Sequence, residues 1–212
     1  MEISWLGHSC FRLKGKGVTI ITDPYDGSLG IALNQLTGDI VTISHKAPHH
    51  SNAEAVKGAR KVLSGPGEYE ISGVFINGIR TFQDDQKGAA KGKNTSYVLE
   101  MEDLRICHLG QIGHVPTDDQ EAAFGNIDIL LVPVGGKNTI DAKLAAETIR
   151  QIEPRIAIPM HYKIPQIKAD LDSVEPFLKE LGLTAQAPIS KLIITSTSLP
   201  PQLQVVALEL SK

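Results

Sequence analysis

Short apolar, β-branched runs recur along the chain, broken by turns of glycine, proline and aspartate, a rhythm that predicts strands more than helices in the first half. Ile3-Ser4-Trp5-Leu6 and Cys10-Phe11-Arg12-Leu13 read as strands on either side of Gly7-His8-Ser9. Gly15-Lys16-Gly17 is a hairpin turn, Val18 to Thr22 a strand ending at Asp23-Pro24, and Asp39 to Ser44 another strand. One helical turn is expected at Ala32–Gln35, and a capped helix start at Ser51-Asn52-Ala53-Glu54 that Gly58 cuts short. Lys61 to Ser64 is a strand, Glu68 to Phe82 a meander, and the polar Gly/Lys-rich stretch Gln83–Lys93 an exposed loop.

From Asn94 the pattern turns toward alternating strands and helices. Ser96–Met101 and Leu104–His108 predict a hairpin about Glu102-Asp103. Thr117 is placed to cap a helix through Phe124, Ile127–Val134 is a buried strand, and Ile140–Ile152 has helical spacing with Ala142, Ala145, Ala146 and Ile149 on one side. Ile156–Met160 is a strand, Leu171–Leu181 a helix stopped by Gly182, and Leu192–Thr195 and Val205–Leu210 are late strands. No Pro/Ser-rich linker interrupts the 212 residues, so residues 1–212 are read as a single domain. Two sheets packed face to face with helices outside would bury these faces, an α/β (α+β) arrangement.

Composition narrows the function more than the fold. With 42% hydrophobic residues, 21% charged residues and a net charge of −3, the chain looks like an ordinary globular protein, and it lacks the basic surface that a nucleic acid or an anionic membrane demands. The start, Met-Glu-Ile-Ser-Trp, has no secretory pattern and no run is apolar enough to span a bilayer, so a cytoplasmic protein is expected. Cys10 and Cys107 sit in apolar strands and read as buried free thiols.

Candidate chemistry lies in the histidines. His45, His49 and His50, three of the seven, fall within six residues directly after the strand Ile40–Ile43. Two other strands also end by delivering an imidazole, His108 after Ile106-Cys107 and His161 after Pro159-Met160. Imidazoles placed by several strand ends can converge on one metal such as zinc, iron or manganese. His8, in the Gly-His-Ser turn, and His114 are candidates for proton donation or for supporting the ligands. Asp141 is a helix-start acid, and Asp23 is read as a turn residue in preference to a tether for the histidine loop.

These stretches, together with Trp5-Leu6-Gly7-His8-Ser9-Cys10-Phe11, Thr22-Asp23-Pro24, Gly65-Pro66-Gly67-Glu68-Tyr69-Glu70, Gly135-Gly136 and Ile158-Pro159-Met160-His161-Tyr162, resemble the metallo-β-lactamase fold. More narrowly, they are similar to the bacterial metal-dependent hydrolases related to ascorbate-phosphate lactonase. The resemblance implies a four-layer αββα sandwich with the site at the sheet edge. The metal loop of that family reads H-x-H-x-D-H. Here His45 and His50 keep its ends, while Ala47 replaces the second histidine and His49 the aspartate. The family's later histidine matches His108, but the aspartate that bridges two metals is Gln111, and His161 matches the last ligand.

Alanine cannot ligate, and a glutamine amide cannot offset the charge of two cations. The metal candidates are therefore His45, His49, His50, His108 and His161, and the expectation is one ion, with His50, His161 and either His49 or His108 as ligands. Catalytic candidates are His114, His8 and Asp141. The function implied is a metal-dependent, zinc-type hydrolase of a small ester, lactone or phosphoester, with a small molecule as partner and a homo-oligomer left open. The other reading is a catalytically inactive protein of the same fold, for which no metal is required, kept as a ligand-binding or assembly module.

Overall fold

In the computed structural model, which describes residues 1–33 and 35–211, the strands form a six-stranded sheet, a seven-stranded sheet and a two-stranded ribbon. The six-stranded sheet runs in the order Leu192–Ile193, Glu2–Gly7, Cys10–Lys14, Thr19–Thr22, Ile40–Ile43, Lys61–Ser64. Its first half is an antiparallel meander, and its last three strands are parallel to one another. The seven-stranded sheet is ordered Gln204–Val205, Ile156–Met160, Ile129–Pro133, Leu104–His108, Lys93–Met101, Val74–Phe82, Gly67–Ile71.

Period-two alternation explains how both faces of the first sheet are used. Ile20, Ile40 and Leu63 enter the main core with residues of the second sheet, including Ile76, Leu99 and Ile106. Their neighbours Ile21 and Val41 face the other way and pack with Leu29, Leu36, Val56, Ile167 and Leu171 in a second apolar cluster. The parallel strands Ile129–Pro133 and Ile156–Met160 are buried at every position, as strands covered on both sides must be. Helix α1, Asp118–Phe124, is closed by the capping box Thr117/Gln120. Helix α2, Ala142–Ile152, starts at Asp141 and buries Ala145, Ala146, Ile149 and Ile152 against the second sheet and against α3, Glu175–Glu180. The result is the α/β sandwich of mixed sheets that the resemblance implies.

Several elements are shorter than their hydrophobic pattern. The segment after Ser51 forms only a 3₁₀ turn, Ala53–Ala55, because Asn52 supplies no capping bond. The third helix begins at Glu175, not Leu171, whose side chain joins the second cluster. Strand pairing at the end of the chain is confined to Gln204–Val205 and isolated bridges at Leu208 and Leu210. The turn expected at Ala32–Gln35 falls on Asn34, outside the described residues. Cys10 and Cys107 are free and buried.

Parallel pairing puts the carboxyl ends of Thr19–Thr22 and Ile40–Ile43 at one edge, and the Gly7–Ser9 turn joins them there. The carboxyl ends of Leu104–His108, Ile129–Pro133 and Ile156–Met160 share one edge of the other sheet. Hydrogen bonds stitch these two edges together: Thr95 N–H to Ser44 O at 2.8 Å, Tyr97 Oη to Ile43 O at 3.1 Å, and His161 N–H to His8 O at 2.9 Å.

Candidate metal centre

The stitched edge gathers His8, His50 and His161, each contributing one ring nitrogen, with these nitrogens all within 4.8 Å of one another. Ring centroids are 3.9 Å apart for His8 and His161, 4.8 Å for His8 and His50, and 5.6 Å for His50 and His161. All three side chains are buried. His8 Nδ1, His50 Nε2 and His161 Nδ1 have no hydrogen-bond partner among the described residues. A buried polar nitrogen without a partner costs free energy, and the closeness of the three rings lets one occupant serve them all.

His8 and His161 both sit at positive φ, +55° and +53°, where a side chain with a Cβ is strained. The His8 carbonyl holds this arrangement by accepting from the His161 N–H at 2.9 Å and from Trp5 Nε1–H at 2.9 Å. Trp5 in turn stacks on Tyr162, ring centroids 5.1 Å apart, next to the last histidine. A cleft of about 750 Å³ opens beyond this stack, lined by Trp5, Tyr162, Val174, Leu178 and Leu208; no histidine lines it.

Asp23 fixes His50. Its Oδ2 accepts from His50 Nδ1–H at 2.8 Å and from the Ser44 hydroxyl at 2.6 Å, while Oδ1 accepts from Ser44 N–H at 2.7 Å. This makes Asp23 the tether for the histidine loop, correcting the reading of it as a plain turn residue. Its backbone sits at φ +38°, and its N–H donates to Thr42 O at 2.8 Å. Burial pushes the Asp23 carboxyl up, but the bond from His50 and the neighbouring imidazoles outweigh that and hold it at about 2. With Nδ1 committed to a carboxylate, His50 presents Nε2 as a lone pair to the cluster.

Electrostatics favour the neutral imidazoles that metal binding needs. Burial, then the neighbouring His50, lowers His161 to about 3, and burial lowers His45 to about 4. Burial also drives His8 well down and lowers His108. Three buried imidazoles whose ring nitrogens lie within 4.8 Å of one another, with a carboxylate behind one of them, fit a borderline divalent ion.

The other candidates lie around this cluster or away from it. His45 stands beside it, 4.3 Å from the His50 ring, with Nδ1–H given to Ser44 Oγ at 3.1 Å. His108 is buried in the strand end and donates Nε2–H to Ser9 O at 2.8 Å. His49 is at the surface, its Nδ1 3.0 Å from Ser28 Oγ and its ring 6.1 Å from that of His8. His114 has both nitrogens engaged by backbone, accepting from Phe82 N–H at 3.2 Å and donating to Val115 O at 2.8 Å. Asp141 accepts from Leu144 N–H at 2.9 Å as the N-cap of α2. Gln111 gives its amide to Gln83 Oε1 at 3.0 Å.

Residues 2–161 match the family described as the β-lactamase superfamily domain. The chain belongs to the metallo-β-lactamase superfamily. A UPF0173 protein of Pyrococcus abyssi is 30% identical over 177 residues, 76% of this chain and 83% of its own. A UPF0173 metal-dependent hydrolase of Thermoplasma acidophilum is 29% identical over 209 residues, 86% of this chain and 92% of its own. The crystal structure of a candidate Zn-dependent hydrolase of the metallo-β-lactamase superfamily from Thermotoga maritima is 38% identical, superposes with a TM-score of 0.80, and covers 98% of this chain and 97% of that one. Among the described residues no helix is long and apolar enough to cross a membrane.

Proposed function

We propose that the protein is a metal-dependent hydrolase of a small ester, lactone or phosphoester, working with one ion, zinc before iron or manganese. The observation that carries the reading is the buried cluster of unpartnered imidazole nitrogens at His8, His50 and His161, backed by Asp23. The hydrolase descriptions of the relatives from Thermoplasma acidophilum and Thermotoga maritima support it. A divalent ion bound there would supply Lewis acidity toward a carbonyl or phosphoryl oxygen and bring the pKa of water to about 7.

The chain's own residues do the rest. Asp23 keeps His50 in the tautomer that leaves Nε2 free, and the His8 carbonyl holds the two positive-φ turns in register. A single ion suits this site better than two. Ala47 offers no ligand, and Gln111 is turned onto Gln83. We read residues 1–212 as one domain of a cytoplasmic protein acting on a small molecule, not on nucleic acid or a membrane.

Metal analysis of the purified protein and a screen of lactones and phosphodiesters test the reading. One equivalent of metal is expected, with metal and turnover lost together in His50→Ala and His161→Ala. Less than about a tenth of an equivalent after growth with zinc, iron and manganese would sink it. A binding module without turnover is the second reading, favoured by the amide-to-amide bond that occupies Gln111. Stoichiometric metal without hydrolysis of any screened class would support it.

A further inference from the structure

The metal loop of this chain lacks a carboxylate at the position of His49, and the loop itself does not replace it. His49 lies at the surface, with Nδ1 against Ser28 Oγ at 3.0 Å and Asp26 Oδ1 at 3.8 Å. The replacement comes from a different element. We propose that His8, in the turn between the first two strands, is a metal ligand that takes the place of the lost loop carboxylate and completes an all-imidazole site with His50 and His161. This rests on the metal-dependent reading above.

Three observations carry it. His8 Nδ1 is buried and unpartnered among the described residues, as are His50 Nε2 and His161 Nδ1 in the two rings beside it. Its ring is closer to His161, at 3.9 Å between centroids, than His50 is, at 5.6 Å, so it stands inside the cluster and not behind it. Its backbone is held at φ +55° by two donors converging on one carbonyl, Trp5 Nε1–H and His161 N–H. A strained turn kept in place from both sheets is the mark of a side chain that must be aimed.

The rival third ligands are placed otherwise. His108, whose Nε2–H is given to Ser9 O, and His45, whose Nδ1–H is given to Ser44 Oγ, both lie outside the group of His8, His50 and His161 whose ring nitrogens are all within 4.8 Å of one another. With no carboxylate among the three ligands, the bound ion keeps its full double charge at the protein side. That favours an N-preferring ion such as Zn(II) or Co(II), and an oxyanion as the exogenous ligand.

The test is metal binding by the full chain, stripped with chelator and titrated with Zn(II) against a chromophoric competitor and with Co(II) by visible absorption. His8→Asn and His8→Gly are the variants, since both residues tolerate the left-handed backbone of this turn. One equivalent is expected for the wild type, with affinity falling ~100-fold or more in both variants. That is at least the upper end of what losing a mere supporting partner costs. The Co(II) band should change in both and return in His8→Gly on adding imidazole, which a purely structural role would not produce. His49→Ala should stay within about threefold of wild type. Acetate or inorganic phosphate should shift the Co(II) band of the wild type.

Wild-type affinity and spectrum in His8→Asn and His8→Gly would overturn the His8 assignment while leaving the hydrolase reading intact. So would a loss in His49→Ala equal to theirs. No metal binding by the wild type would overturn both.

Discussion

The Asp23 carboxylate and the His50 imidazole form a buried pair, Oδ2 to Nδ1 2.8 Å, in which the same carboxylate also accepts two hydrogen bonds from Ser44. The pair sets the tautomer of one ligand and the position of the loop carrying it. Asp23→Asn keeps the shape but replaces a carboxylate by a group that cannot accept all three bonds. Zinc affinity is expected to fall ~10–100-fold, as for other partners behind a metal-bound histidine. Competition titration measures it, and unchanged affinity would show that His50 needs no tether.

Asp23 also shapes acid stability. Its pKa is held at about 2, below the unfolded carboxyl, so its contribution is present above about 4 and lost as pH falls toward 2. The buried histidines act earlier. His45 at about 4 and His161 at about 3 lie below the unfolded value of about 6.5, so the unfolded chain binds protons first. Stability of the metal-free protein is therefore full above about 6.5 and declines from there toward about 3. Thermal melts from pH 7 to 4 should show a falling transition. The slope should shrink in His161→Asn; an unchanged slope would assign the acid lability elsewhere.

Tyr97 ties the two sheets below the site. Its hydroxyl lies within hydrogen-bond distance of the carbonyls of Ile43, Leu63 and Gly65 and accepts from Gly65 N–H at 3.0 Å. Tyr97→Phe leaves buried backbone groups without their partner and is expected to cost about 1–3 kcal/mol. Urea unfolding measures it. A loss under about 0.5 kcal/mol, the range of neutral surface changes, would mean that water replaces the hydroxyl.

Gly135 sits against the last ligand. A Cβ there would lie 2.0 Å from the His161 carbonyl oxygen, so Gly135→Ala must push the His161 backbone. Destabilisation at or above the ~1–3 kcal/mol of ordinary overpacking is expected, together with weakened metal binding. Gly27→Ala, where a Cβ meets nothing within 4 Å, is the control and should be near neutral. Equal effects from the two would break the argument.

Much of this was readable in the chain, and for a physical reason. The strand Ile40–Ile43 and the strand ends carrying His108 and His161 are local patterns, β-branched runs that stop at an imidazole. Thr117 and Gln120 likewise announce their helix start by spacing alone. His8 was visible only as a histidine in a turn. What brings it into the cluster is a positive φ and a hydrogen bond from the other sheet, 153 residues away in sequence (161 − 8), which no local pattern encodes. Asp23 before Pro24 looks like any turn; its partner His50 lies beyond an intervening strand. His114 and Asp141, both plausible as reactive groups by type, are spent on backbone atoms next to them in space.

The stretch Gln83–Lys93 has the composition of a protease-sensitive tip, polar and rich in glycine and lysine. Its chain is instead wrapped around the carboxylate of Asp84, which accepts from the N–H groups of Gln86, Gly88, Ala90 and Lys91 at 2.6–3.1 Å. Gln83 closes it at the base through Lys93 O and Gln111. Trypsin should therefore find Lys87, Lys91 and Lys93 in a pre-formed knot and cut there slowly in the native protein. A single Asp84→Ala exchange should turn the same lysines into the first sites of nicking.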